Sequence, residues 1–131
     1  MSRKTFVNLP VHDLTRTTEF FRSLGLPQNE RLGDDQVSCI EINDDAYAML
    51  HTEQAFREFT MQETRDTARS REVIVGLSTD DRAEVDQMLD RALAAGAKPV
   101  GDVYDDGYMY MRAFRDLDGH QWSLIYIASL D

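Results

Sequence analysis

An internal repeat is the feature of this sequence that most constrains its fold. An apolar stretch, an aspartate, an amphipathic helical pattern and a glycine follow one another in the first half, and the same order returns in the second half. The repeated positions are the stretches 5–11 and 73–79, Asp13 and Asp81, and Gly25 and Gly96. Aspartate suits a helix N-cap, where its carboxylate accepts a backbone N–H, and glycine suits the left-handed residue that ends a helix. The repeat therefore predicts two modules of similar architecture.

Stretches with the alternation typical of β-strands follow each helical pattern. In the first half they are 37–42 and 47–51, with a weaker strand or turn region at 31–36; in the second half they are 98–104, 108–114 and 121–127. The sequence therefore predicts the order βαβββ twice, in an α+β fold. The modules are expected at about 4–59 and 72–128 of a single domain spanning 1–131. Phe56 and Phe59 fit a short helix between them, and 60–72 is polar and typical of a linker.

The charge balance argues against polyanionic partners. Asp and Glu number 24 against 14 Lys and Arg, which gives a net charge of -10. Such a field repels nucleic-acid phosphates and anionic membrane surfaces. No apolar run approaches the roughly 20 residues that a membrane-spanning helix needs. Cys39 is the single cysteine, so no disulfide can form within the chain, and we expect a cytoplasmic location.

Two motifs resemble those of the vicinal-oxygen-chelate superfamily, which contains glyoxalases, bleomycin-resistance proteins and extradiol dioxygenases. The first is Val11-His12-Asp13-Leu14 followed by Phe20-Phe21, and the second is Asp116-Leu117-Asp118-Gly119-His120-Gln121-Trp122. Leu117 stands where the family usually has proline. The resemblance implies two paired βαβββ modules whose strands form a curved, partly open mixed β-barrel around a central cavity, often within a homodimer.

The resemblance also implies which positions would hold a metal. Members that use a divalent ion bind it through His and Glu side chains of the first, fourth, fifth and eighth strands. Carried over one by one, these positions are occupied by Phe6, Met49, Ile74 and Ser123. Phenylalanine and isoleucine have no lone pairs, and a neutral serine hydroxyl is a poor ligand. We therefore expect no metal and no other cofactor.

Strand alternation predicts which side chains line the cavity, because successive residues of a strand point to opposite faces of the sheet. In the second half, we expect residues to correspond to those of the first half by the separation of Gly25 and Gly96 along the chain. This separation maps Ile40 onto Met111. It therefore predicts that Tyr108, Tyr110 and Arg112 point toward the cavity. Arg112 could then bind an anionic group of a ligand. The predicted ligand-binding residues are Phe6, Asn8, Glu41, Met49, His51, Ile74, Tyr110, Arg112 and Ser123.

Three functions remain open from the sequence. We expect a metal-independent protein that binds a small organic molecule. The first alternative is a metal-dependent lyase or dioxygenase with an atypical ligand set of His51 and Glu41, to which Asn8 could be added. The second is a metal-free enzyme in which His51, the weak catalytic candidate, is a general base oriented by Glu41. The sequence leaves open the ligand, and whether one chain or a dimer completes the cavity.

Overall fold

The computed structural model describes residues 3–61 and 73–128. The chain divides into two compact units, Met1–Asp66 and Thr67–Asp131, and the boundary falls in the stretch predicted to be a linker. Most of that stretch, 62–72, lies outside the described residues. None of the helices within the described ranges is long and apolar enough to cross a membrane.

The first unit has three strands, two α-helices and a short 3-10 helix. In chain order they are β1 (Thr5–Val11), α1 (Leu14–Ser23), the 3-10 helix (Glu30–Leu32), β2 (Val37–Asn43), β3 (Ala46–Thr52) and α2 (Glu53–Thr60). The sheet order is β1-β3-β2, with β1 parallel and β2 antiparallel to β3. The short helix predicted around Phe56 and Phe59 is confirmed as α2.

The core of the first unit lies where α1 packs against β2 and β3. Asp13 caps α1 as predicted, since its Oδ1 accepts the backbone N–H of Arg16 at 3.1 Å. The buried apolar side chains are Leu9, Val11, Phe20, Phe21, Leu24, Ile40, Ala48 and Leu50. Burying one side chain of the size of leucine or phenylalanine stabilises a fold by roughly 1.5–3 kcal/mol. This apolar face fixes which strand residues point away from α1.

The region 31–36, predicted as a weak strand and turn, contains no strand, so the first unit is βαββ rather than βαβββ. The segment instead ends the 3-10 helix and makes a turn. Asp34 Oδ1 accepts the backbone N–H groups of Gln36 and Val37 at 2.8 and 3.0 Å. A Cβ atom at Gly33 would lie 2.6 Å from the Val37 carbonyl oxygen, so this close approach requires glycine.

The second unit keeps the predicted βαβββ order. Its elements are β4 (Ile74–Ser78), α3 (Arg82–Ala94), β5 (Lys98–Asp105), β6 (Met109–Arg115) and β7 (Gln121–Ile127). The sheet order is β4-β7-β6-β5, with β4 parallel to β7. The amphipathic pattern of the second half predicts an apolar face of Val85, Met88, Leu89, Ala92 and Leu93 on α3; the first four are buried and Leu93 is half-buried. The α+β class with mixed sheets is thus confirmed, and no closed barrel is detected among the described strands.

The prediction that Tyr108, Tyr110 and Arg112 face the cavity is wrong. Arg112 pairs with Leu124, which is fully buried. On this helix-covered face, Asp86 of α3 accepts hydrogen bonds from the Tyr110 hydroxyl at 2.7 Å and from Arg112 Nη1 at 2.9 Å. Tyr108 precedes β6 and is exposed.

The error lies in the residue equivalence between the two halves. Ile40 pairs with Ala48 on the apolar face of the first sheet, and Phe114 pairs with Trp122 on the apolar face of the second. Ile40 therefore corresponds to Phe114 and not to Met111. The two assignments differ by an odd number of residues, and an odd shift turns every side chain of a strand to the opposite face.

The turn before β7 is organised by a buried carboxylate. Asp116 Oδ1 accepts the backbone N–H groups of Asp118 and His120 at 2.9 and 3.0 Å, and its Oδ2 accepts the Trp122 indole N–H at 2.9 Å. Burial raises the pKa of Asp116. Gly119 has a φ of 87°, which favours glycine. The motif thus has a structural role in the second unit.

We predict that Asp116→Ala lowers the free energy of unfolding by about 3 kcal/mol, because it leaves buried donors without an acceptor. Urea denaturation followed by tryptophan fluorescence measures this change. The exposed helix substitution Asp90→Ala is the control and should change stability by less than about 0.5 kcal/mol. Equal effects of the two substitutions would show that the Asp116 hydrogen bonds do not stabilise the turn.

Candidate functional site

The first unit contains a cavity of about 580 Å³. The 3-10 helix, the turn after it, all three strands and α2 contribute to its wall. The lining residues are Asn8, Leu32, Gly33, Asp34, Val37, Met49, His51, Ala55, Glu58 and Phe59. All of them belong to the first unit.

The register of the parallel pair β1 and β3 brings two polar side chains together in this cavity. Asn8 lies opposite Met49, and Pro10 lies opposite His51. These residues therefore share the face that points away from the α1-covered core, as strand alternation predicted. Asn8 Oδ1 and His51 Nε2 are 2.8 Å apart, a good hydrogen-bond distance.

His51 is held from several sides, and only 6% of its surface is exposed. The rings of Phe56 and Phe59 on α2 contact the imidazole, with centroid distances of 5.8 and 5.5 Å. The next residue, Thr52, caps α2 because its hydroxyl oxygen accepts the backbone N–H of Ala55 at 3.2 Å. His51 thus sits at a rigid junction between β3 and α2.

The hydrogen bond from His51 determines which imidazole nitrogen faces a ligand as an acceptor. The amide oxygen of Asn8 can only accept, so Nε2 of His51 carries the proton and donates it. In the neutral ring, Nδ1 then has the free lone pair, and no described residue bonds to it. Burial lowers the pKa of His51, and the nearby Asp34 carboxylate opposes this shift. The imidazole is therefore neutral at pH 7.

The rest of the wall is largely apolar. Leu32, Val37, Met49, Ala55 and Phe59 supply its carbon surface. Leu32 and Phe59 are 46% and 68% exposed, which places them where the cavity opens to solvent. Two carboxylates, those of Asp34 and Glu58, complete the lining. The cavity thus combines an apolar wall with a few polar groups, as small-molecule sites commonly do.

The structure brings together only some of the residues predicted from the sequence. Asn8, Met49 and His51 line the cavity. Phe6 lies outside it, with its ring stacked on Tyr47 at a centroid distance of 5.1 Å. Glu41 also lies outside it: its Oε2 accepts a hydrogen bond from the Asn29 side-chain amide at 3.1 Å.

The proposed pairing of His51 with Glu41 does not occur. Glu41 lies opposite Tyr47 in the β2–β3 pair, whereas Val37 lies opposite His51. Glu41 and His51 are therefore at different positions along the strands. The group that orients the imidazole is Asn8, a neutral amide on β1.

The remaining predicted residues belong to the second unit. Ser123 lies opposite Gly76 and, like Ile74, is on the face of the sheet that points away from Trp122. Ile74 is 58% exposed and Ser123 is buried. Tyr110 and Arg112 contact α3 on the other face, as described above. A ligand-binding role for Ile74 and Ser123 stays a prediction. Tyr110 and Arg112 were predicted to bind a ligand because they were expected to face the cavity, and that reason no longer holds.

Sequence reasoning missed much of the cavity lining. The missed residues are Leu32, Gly33, Asp34, Val37, Ala55, Glu58 and Phe59. One signal was present, since Phe56 and Phe59 were expected on a helix just after the strand that carries His51. The segment that contains Asp34 was predicted only as a weak strand and turn region, and its carboxylate was not considered.

The positions that would hold the superfamily's metal do not offer a suitable donor set. Phe6 and Ile74 present only carbon, and Met49 and Ser123 add a thioether and a hydroxyl. Oxygen-rich or imidazole-rich sites are what such ions require. Within residues 3–61 and 73–128, no three His, Cys, Asp or Glu side chains are grouped so that they could hold a metal ion. The described residues therefore do not fit this metal.

Comparison with protein families identifies the chain. The model of the Glyoxalase/Bleomycin resistance protein/Dioxygenase superfamily matches residues 5–124. The chain belongs to this superfamily. A comparison with curated protein sequences gave no match.

Several solved structures share the fold of this glyoxalase-superfamily protein. A hypothetical protein, SA1046 from S. aureus, has a TM-score of 0.82 and 25% identity, with 96% of this chain and 94% of that chain covered. A glyoxalase/bleomycin resistance protein/dioxygenase family enzyme from Burkholderia phytofirmans PsJN has a TM-score of 0.82 and 16% identity, with 96% and 99% covered. TioX from Micromonospora sp. ML1 has a TM-score of 0.68 and 19% identity, with 96% and 99% covered.

We predict that lowering the pH below about 6.5, the ordinary pKa of histidine, destabilises the protein partly through His51. The pKa of His51 is lowered in the folded state. Below the ordinary pKa of histidine, the unfolded chain therefore binds more protons than the folded chain does. The free energy of unfolding then decreases as the pH falls. Urea denaturation between pH 7.5 and 5 measures the loss. His51→Gln should flatten this pH dependence. A His51→Gln variant with an unchanged pH profile would contradict the account.

Proposed function

We propose that this protein binds a small organic molecule in the cavity of its first unit, without the superfamily's metal. The observation that carries the proposal is the hydrogen-bonded pair of Asn8 and His51 in a cavity whose wall is largely apolar. A polar pair fixed in such a wall orients a ligand by hydrogen bonding, while the apolar side chains supply most of the affinity.

The size of the cavity supports a small ligand. Its volume of about 580 Å³ lies within the roughly 300–1,000 Å³ of typical ligand sites. Leu32 and Phe59 at the opening leave apolar surface exposed, and a bound molecule would cover part of it. Removing such surface from water contributes roughly 25 cal/mol per Å².

The chemistry of the side chains supports metal independence. The alternative, a metal-dependent lyase or dioxygenase, would need His51 and Glu41 at one point. Glu41 is instead bonded to Asn29 and lies opposite Tyr47. The neutral Asn8–His51 pair alone supplies too few donors for a divalent ion, which usually takes four or more.

Several other features expected from the sequence remain proposals, and ligand binding does not depend on them. They are the curved, partly open barrel, the homodimer, the cytoplasmic location and the absence of nucleic-acid and membrane partners. Binding in a cavity within one unit requires none of these features.

We predict that the protein purified without added metal contains only substoichiometric nickel, zinc, iron and manganese. Elemental analysis by mass spectrometry after dialysis measures the content. Adding any of these ions should leave the melting temperature unchanged, because a ligand that does not bind the native state cannot stabilise it. One equivalent of a tightly held ion would overturn the metal-free proposal.

We predict that filling the cavity abolishes binding of a neutral aromatic probe. Ala55 lines the cavity on α2, so Ala55→Phe should weaken binding of 1-naphthalenemethanol by at least tenfold, which is about 1.4 kcal/mol. Chemical-shift titration of the ¹⁵N-labelled protein measures the affinity and locates the probe. The control Ala83→Phe, on an exposed position of α3, should bind as the unsubstituted protein does. Equal binding by both variants would place the probe elsewhere.

A further inference from the structure

The ionisable groups that line the cavity have an unusual balance of charge. They are Asp34, Glu58 and His51, and the described lining contains no lysine or arginine. His51 is neutral at pH 7 for the reasons given above. Two negative charges are thus present in the lining without a cation among the lining residues to neutralise them. The whole chain carries a net charge of -10, which strengthens the negative potential.

The ionisable side chains of the lining also offer mainly hydrogen-bond acceptors. Asp34 uses Oδ1 to accept the backbone N–H groups of Gln36 and Val37, and no described residue donates to its Oδ2. His51 Nδ1 is an acceptor in the tautomer that Asn8 selects. Glu58 accepts only one long hydrogen bond, from Gln54 at 3.4 Å. The lining thus offers acceptors to a ligand, and a group with N–H or O–H donors complements them.

We propose that the ligand is an amine that is protonated at neutral pH and carries an apolar, preferably aromatic, body. This inference rests on the proposed function and specifies the ligand class of the same cavity. An ammonium group has three N–H donors and no acceptor, which matches Asp34, Glu58 and His51. The exposed ring of Phe59 adds a π-face that attracts a cation. A carboxylate or phosphate would instead meet two like charges.

Three naphthalene probes of nearly equal size test the charge preference. They are 1-naphthylmethylamine as the cation, 1-naphthalenemethanol as the neutral compound and 1-naphthoate as the anion. Chemical-shift titration at pH 7.5 and low salt should give the tightest binding for the amine, by about fivefold over the alcohol, since a partly exposed ion pair contributes up to about that factor. The anion should bind most weakly. Raising the salt concentration should reduce the preference, because ions screen exposed charges.

Charge-removing variants locate the preference within the cavity. In Asp34→Asn the side-chain oxygen can still accept the two backbone N–H groups, so the turn is preserved while the negative charge is lost. This variant should lower the affinity for the amine by more than it lowers the affinity for the alcohol. The matched control Asp35→Asn, at the neighbouring exposed aspartate, removes the same net charge from outside this cavity and should preserve the preference.

The outcomes separate the two proposals. Equal binding of the three probes within the cavity, or tighter binding of the anion, would overturn the inference about the amine while binding in the cavity stands. An equal loss of preference in Asp34→Asn and Asp35→Asn would also overturn it, because the effect would come from net charge alone. No shift of any cavity residue with any probe would contradict the proposed function itself.

Discussion

The parallel pairing of β1 with β3 is the constraint on which the site depends. This pairing places Asn8 opposite Met49 and Pro10 opposite His51. The amide and the imidazole thereby reach hydrogen-bond distance although 43 residues separate them in the chain. A shift of one residue would turn Asn8 into the α1-covered core and expose Leu9. The buried Leu9 and Val11 therefore hold the polar pair in place from the opposite face of the sheet.

The second determinant is the short helix that begins directly after His51. Because Thr52 caps α2, the helix starts without a loop, and its residues Phe56 and Phe59 lie against the imidazole. Their rings remove water from the histidine and lower its pKa. A neutral imidazole with one fixed N–H is a directional hydrogen-bonding group rather than a charge. This environment suits recognition of a ligand and leaves the carboxylates of Asp34 and Glu58 as the charged groups of the lining.

The parts of the fold that follow from local chemistry could be predicted from the sequence. The aspartate caps, the apolar face of α3 and the alternation of β1 and β3 depend on neighbours in the chain, and the structure confirms them. Asn8, Met49 and His51 were thereby placed on one face. The superfamily itself was recognised from the two short motifs and is confirmed by the match over residues 5–124.

The features that depend on distant contacts could not be predicted in the same way. The facing of β6 required its register with β7, and the two halves differ in length between their helices and their hairpins, so Tyr110 and Arg112 were assigned to the wrong face. The turn at Gly33 and Asp34 depends on close contact with Val37. Its composition alone does not distinguish such a turn from a frayed strand. Asp34 was missed as a lining residue for this reason.

The central claim is that the cavity binds an organic molecule without a metal. The most direct test is the dissociation constant of 1-naphthalenemethanol, measured on one protein sample before and after exhaustive treatment with EDTA. The account predicts the same constant and the same shifted residues around His51 in both states. Loss of binding on chelation, with recovery when a single divalent ion is restored, would contradict it.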